Sequence, residues 1–201
     1  MHRVSGMVLN PRFYEIAPLS DDERARARKE LGLDPSKPVG LVSFGGVFSV
    51  LPELQRALVA KLSEEDRARV IALEEQLAGE DATDEAFLEQ LRLVWPAYFF
   101  DPAAAPPPPA AACSIECHRE TLASVAEHAE AGTLREGLRE VRLPVLFVHG
   151  IDNPLPLRST LETARLVPGA KMGRVPRCGH FPWLEQPGFL DRIIRGLIAR
   201  L

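Results

Sequence analysis

Apolar positions change period along this chain, and the changes mark its elements. Pro18 to Ser20 precede DDERARARKELGL, where Ser20 is a suitable N-cap and Asp21, Asp22 and Glu23 fill the first turn. Gly32 and Pro35 end that helix. PVGLVSFGG (38–46) reads as a short buried strand running into a glycine turn. From Leu51 to Leu93 the spacing is helical, with acidic openings at Ser63-Glu64-Glu65-Asp66 and at Asp84. A further helical stretch, 116–140, carries Leu122, Val125, Ala129 and Leu134. Between these helical stretches lies Asp101 to Ala112, whose five prolines exclude helix and central strand and predict an exposed, irregular segment. The end of the chain is the most regular part. LPVLFVHG (143–150) is a buried strand, STLETARLV a helix, GAKMGRVP a strand, RCGHFPWLEQP a loop and GFLDRIIRGLIARL a closing helix.

Strand, helix, strand, loop and helix in that order predict an α/β fold with a short parallel sheet. Strand 143–149 is expected parallel and adjacent to strand 172–176, with the intervening helix crossing in the right-handed sense. Strand 38–43 is expected in the same sheet. Three segments result: 1–50 with one strand, 51–140 largely helical with the proline-rich loop, and 141–201 as the α/β portion. So few strands leave sheet edges open, and a homo-oligomer is one way to cover them.

Composition narrows the function classes. Of 201 residues, 46% are hydrophobic and 26% charged, and the net charge of −4 offers no basic surface for nucleic acid. No apolar run reaches the length of about eighteen residues that a membrane span needs, and the N-terminus lacks the long apolar stretch of a secretory signal. Cys113, Cys117 and Cys178 are odd in number and lack the second ligand pair of a zinc site. They read as structural thiols in a reducing cytoplasm. Neither a metal nor a cofactor is expected.

Chemistry concentrates at the end of the second C-terminal strand, in Cys178-Gly179-His180-Phe181-Pro182-Trp183-Leu184-Glu185. An imidazole changes protonation near neutral pH without special tuning, and Gly179 lets the loop bend sharply before it. A histidine packed in a turn is the alternative. GHFPWLEQP resembles the histidine loop of α/β-hydrolases, especially the proline-iminopeptidase-like branch. LPVLFVHG resembles the penultimate strand of that fold, and LVWPAYFFDP (93–102) resembles its cap region. The resemblance covers roughly 55–201 and implies a partial or truncated α/β-hydrolase with a helical cap. It further implies that His180 is the catalytic base and that an acid follows the strand ending in His149-Gly150. The usual acid position falls on Asn153, with Asp152 one residue early. An amide can hold an imidazole tautomer but does not stabilise imidazolium as a carboxylate does. Asp152 also suits a turn ahead of Pro154. His149 is expected to pack locally.

The nucleophile of that fold sits at G-x-S-x-G. The nearest match is Leu41-Val42-Ser43-Phe44-Gly45-Gly46, in which Leu41 replaces the first glycine. The order Ser43, Asp152, His180 suits the fold and implies hydrolysis of a small-molecule ester or amide, with Trp95, Tyr98, Phe99, Phe100 and Trp183 lining the pocket or packing in the core. A second resemblance competes at the other end. VSGMVLNPRFYE and the stretch from RARARKELGL to GLVSFGG resemble the donor-domain start of diacylglycerol-type glycosyltransferases, which implies nucleotide-sugar binding at Gly45-Gly46. Phe48 follows where that loop usually has another glycine. The hydrolase N-terminal half, with its oxyanion loop, has no counterpart here. Three functions therefore stand: a serine hydrolase, a catalytically inactive remnant of the fold or a fusion, and a nucleotide-sugar binder.

Overall fold

In the computed structural model, residues 41–44, 51–108 and 114–198 are described, together with single positions 20, 22, 25, 26 and 29. Asp22, Ala25, Arg26 and Lys29 have helical backbone, where the first helix is expected. The glycosyltransferase resemblance and the Gly45-Gly46 loop fall almost wholly outside the described residues.

Three strands form one parallel sheet in the order β1 (Leu41–Phe44), β2 (Val145–Gly150), β3 (Lys171–Val175). Leu41 pairs with Val145 and Phe44 with Val148; on the other side Leu146 pairs with Lys171 and Gly150 with Val175. The expected parallel pairing of the two C-terminal strands is present, and so is the N-terminal strand beside them. β2 is buried at every position, as a strand covered on both faces is, with His149 the one polar side chain in it.

Alternation along β2 divides its side chains between two cores. Leu146 and Val148 pack with Val175, Cys178 and Leu190, under Phe189, Ile193 and Ile194 of helix α7 (Pro187–Ile198). Val145 and Phe147 pack with Val167, alongside Leu138 of α5 (Thr133–Glu140) and Ala164 of α6 (Leu157–Leu166). His149 lies on this second face, 2% exposed, with Nδ1 2.9 Å from Thr160 Oγ1 on α6. It packs and hydrogen-bonds locally, as expected.

Between β1 and β2 the described chain is helical. It comprises α1 (Leu51–Val59), α2 (Glu64–Ala78), α3 (Asp84–Val94), a 3₁₀ turn at Trp95–Tyr98, a second at Pro102–Ala104, α4 (Ile115–Glu130) and α5. Ser63 caps α2 by accepting from Asp66 N at 3.1 Å and donating to Asp66 Oδ2 at 2.7 Å. α3 is capped one residue earlier than its acidic opening, because Thr83 accepts from Ala86 N. This region has a core of its own in Leu73, Leu77, Ala86 and Phe87. The proline-rich segment is mostly exposed over its described part and irregular beyond the single turn at Pro102–Ala104. No helix among the described residues is long and apolar enough to cross a membrane.

Candidate active site

His180 occupies the loop that leaves β3, and backbone closeness fixes that loop from two sides. A β-carbon on Gly150 would overlap the carbonyl oxygens of Gly179 and Cys178. One on Gly179 would overlap the carbonyl oxygen of Tyr98. Glycine at both positions therefore lets three pieces of backbone meet: the end of β2, the histidine loop, and the Tyr98–Phe99 peptide. Hydrogen bonds complete the junction. Ile151 N donates to Val175 O at 2.9 Å, Asp152 N to Cys178 O at 3.0 Å, and His180 N to Tyr98 O at 2.8 Å. Arg177, at φ 48°, supplies the left-handed turn that starts the loop, and Gln186 Nε2 donates to its carbonyl at 3.1 Å.

The junction brings His180 to the residue after Asp152. His180 Nδ1 stands 3.2 Å from Asn153 Oδ1. The amide oxygen can only accept, so Nδ1 carries the proton and Nε2 is left as the imidazole lone pair. Nε2 has no hydrogen-bond partner among the described residues. Asp152, by contrast, is exposed, and no hydrogen bond of the described residues joins its carboxylate to His180. Its charge acts instead on Lys61 and Cys178. Asn153 also accepts from Leu155 N at 2.9 Å, an Asx turn that holds its side chain in place.

The electrostatics follow from burial. His180 is pushed down from 6.5 to about 4, first by desolvation and then by neighbouring His149. No carboxylate among its described neighbours offsets this, so the ring is neutral at pH 7. The adjacent Cys178 thiol is fully buried and pushed up to about 12 by desolvation and by the nearby Glu185 charge. Cys178 is thus a neutral thiol and no nucleophile at neutral pH.

Ser43 is the third residue of β1, opposite Phe147. The strand runs one residue past it, so Ser43 lies within the strand rather than on the turn beyond. That places it two positions short of the level of His149, about 7 Å at ~3.3 Å per residue. Its side chain lies outside the described residues.

Aromatic rings cover the histidine. Phe181 is their hub, with its centroid 4.7 Å from Trp95, 5.2 Å from Phe99, 5.8 Å from Tyr98 and 5.4 Å from Trp183. His180 itself lies 5.5 Å from Tyr98 and 5.0 Å from Phe181. Trp95, Tyr98 and Phe99 of the expected lining therefore pack at the site, whereas Phe100 and Trp183 are 43% and 39% exposed. Two residues that the sequence reading passed over matter here. Phe181 was signalled only by its adjacency to His180. Glu185 has no signal in the sequence beyond its place in that loop. Among the described residues no group of three or more His, Cys, Asp or Glu side chains is arranged to hold a metal.

No protein-family model matches the chain. In sequence it is similar to a pimeloyl-[acyl-carrier protein] methyl ester esterase of Aromatoleum aromaticum, 30% identical over 86 residues. That match covers 40% of this chain and 34% of the esterase, so the chain spans about a third of the relative's length. In structure it is similar to VinJ, with a TM-score of 0.56 at 14% identity over 90% of this chain and 71% of that one. It is also similar to proline iminopeptidase of Mycobacterium smegmatis, with a TM-score of 0.52 at 17% identity over 95% of this chain and 72% of that one. At such identities the likeness is one of fold, and the fold is that of α/β-hydrolases.

Proposed function

We propose that this chain, built on the α/β-hydrolase fold, hydrolyses a small-molecule ester or amide with His180 as general base. The observation that carries the reading is the contact of His180 Nδ1 with Asn153 Oδ1. It leaves a neutral Nε2 lone pair at the carboxyl end of a parallel sheet, where such folds place their chemistry. Ser43 is the nucleophile of this reading. Its hydroxyl proton passes to Nε2 as Oγ adds to the substrate carbonyl; the leaving group departs with that proton, and water repeats the sequence on the acyl-serine. Asn153 takes the orienting role that an acid has elsewhere, as an amide does in Cys-His-Asn sites. Asp152 then serves the turn. The partial sequence match to a methyl ester esterase favours an ester over an amide.

A second reading has observations of its own. Ser43 lies inside β1, and an amide stands where a carboxylate would raise the basicity of His180. Both favour a catalytically inactive protein that retains the fold. A fluorophosphonate probe with mass-spectrometric mapping separates the two. Labelling at Ser43, abolished in Ser43→Ala and slowed at least ~10³-fold in His180→Ala, is the expected result. An unlabelled wild type that also turns over no activated ester removes the catalytic reading.

A further inference from the structure

We propose that Glu185 is the positioning residue of the histidine loop, its two carboxylate oxygens tying the loop to the Tyr98–Phe100 segment above it. Oε1 accepts from Gly179 N at 2.8 Å and from Phe181 N at 3.4 Å, the two residues flanking His180. Oε2 accepts from Phe100 N at 2.8 Å. His180 N is the one amide of the three that Glu185 leaves, and it donates to Tyr98 O at 2.8 Å. Three consecutive loop amides are thereby satisfied, two by the carboxylate and one by the covering segment. Lys61 closes the arrangement from outside, with Nζ 2.8 Å from Phe99 O. The lysine and carboxylate charges attract each other as well.

The chemistry demands a carboxylate at this place. Both oxygens must accept, each from a different segment, and charge makes such bonds about twice as strong as neutral ones. A glutamine has one accepting oxygen and would present an N–H to another N–H at the second position. The loop has little freedom to compensate, because Gly179 already touches the Tyr98 carbonyl. Glu185 makes no hydrogen bond to the imidazole, yet the ring's distance from Asn153 depends on it. That ring geometry is testable without turnover; only its consequence for catalysis rests on His180 being the base.

The test is ring-nitrogen NMR on the full chain labelled with ¹⁵N-histidine, with His180→Ala assigning the signal. The wild type is expected to show a single Nδ1–H form. Glu185→Gln is expected to keep native helical circular dichroism while splitting that signal into a tautomer mixture, and Glu185→Asp, which retains two acceptors, to restore part of it. Phe100→Pro replaces the N–H donor to Oε2 with a ring carbon that displaces that oxygen, and Phe99 at φ −92°, ψ 156° suits a following proline. It should reproduce part of the Glu185→Gln effect. Leu73→Ala, in the helical core, should lower the melting temperature without touching the histidine signal. A Glu185→Gln chain that melts lower but keeps the wild-type ¹⁵N pattern overturns the proposal, as does a wild type lacking the Nδ1–H form. A wild type with that form and no esterase turnover counts against the catalytic reading alone.

Discussion

At the scale of residues, one amide decides the character of the site. Asn153 fixes the imidazole tautomer but offers no charge, and burial then holds His180 near 4. Asn153→Asp tests this directly. A carboxylate about 3 Å from Nδ1 favours imidazolium, and an opposite charge at such range shifts a pKa by about 1–3 units. His180 in that variant is expected to titrate between roughly 5 and 7, followed by its ring-carbon proton resonance. If the reading of His180 as base holds, the acid limb of the ester-hydrolysis profile moves up with it. A titration unchanged from wild type would mean that the side chain at 153 does not face the ring. Asp152, one residue away, is exposed and makes no hydrogen bond to His180 among the described residues.

Elements come together here through glycine. β2 ends at Gly150, which lies against the Cys178 and Gly179 carbonyls of the histidine loop, and Gly179 in turn lies against the Tyr98 carbonyl that the 3₁₀ turn at Trp95–Tyr98 delivers. Gly179→Ala forces its methyl group into the Tyr98 carbonyl, where backbone rather than a flexible side chain must yield. Overpacking of that kind costs roughly 3 kcal/mol at its upper end. Denaturant unfolding should therefore show a large loss of stability, whereas Gly137→Ala, with open space around its helical position, should be neutral or slightly stabilising. Equal effects at the two positions would refute the three-way junction.

The described residues form three cores, one in the helical region and one on each side of β2, and burial acts on several titratable groups. Burial lowers the pKa of His118 and His149 as well as that of His180. A histidine whose folded pKa is depressed binds fewer protons in the native than in the unfolded chain. Its contribution is intact above the unfolded value of about 6.5 and is lost as pH falls toward 4. His180 alone accounts for a loss on the order of 3 kcal/mol across that window. Burial and the Glu185 charge raise Cys178 from 9.0 to about 12, so stability also falls as pH rises through that range. Urea midpoints are expected to form a dome, highest between about pH 7 and 9. Flat midpoints from pH 7 to 4 would contradict the burial of His180.

Much of this was legible along the chain, because period and capping are local properties. The apolar run of 145–148 predicts a buried strand, and Ser63 with its acidic first turn predicts the opening of a helix. Gly179-His180 marked the site for the same reason, since a glycine next to an ionisable ring at a strand end is readable without any partner. The rest depended on distance through space. Asp152 and Asn153 are adjacent in sequence and differ only in which side chain the Asx turn aims at His180, 27 residues away. Nothing in the sequence marks Glu185, because its second oxygen accepts from Phe100, 85 residues earlier. The sequence predicts Ser43 at a strand end, and pairing with β2 carries the strand one residue past it. Hydrophobic pattern sets which face of an element is buried, but the partner of a single hydrogen bond is set by packing among elements far apart in the chain. The histidine and its strand therefore belonged to the sequence, and its orienting amide and supporting carboxylate belonged to the tertiary structure.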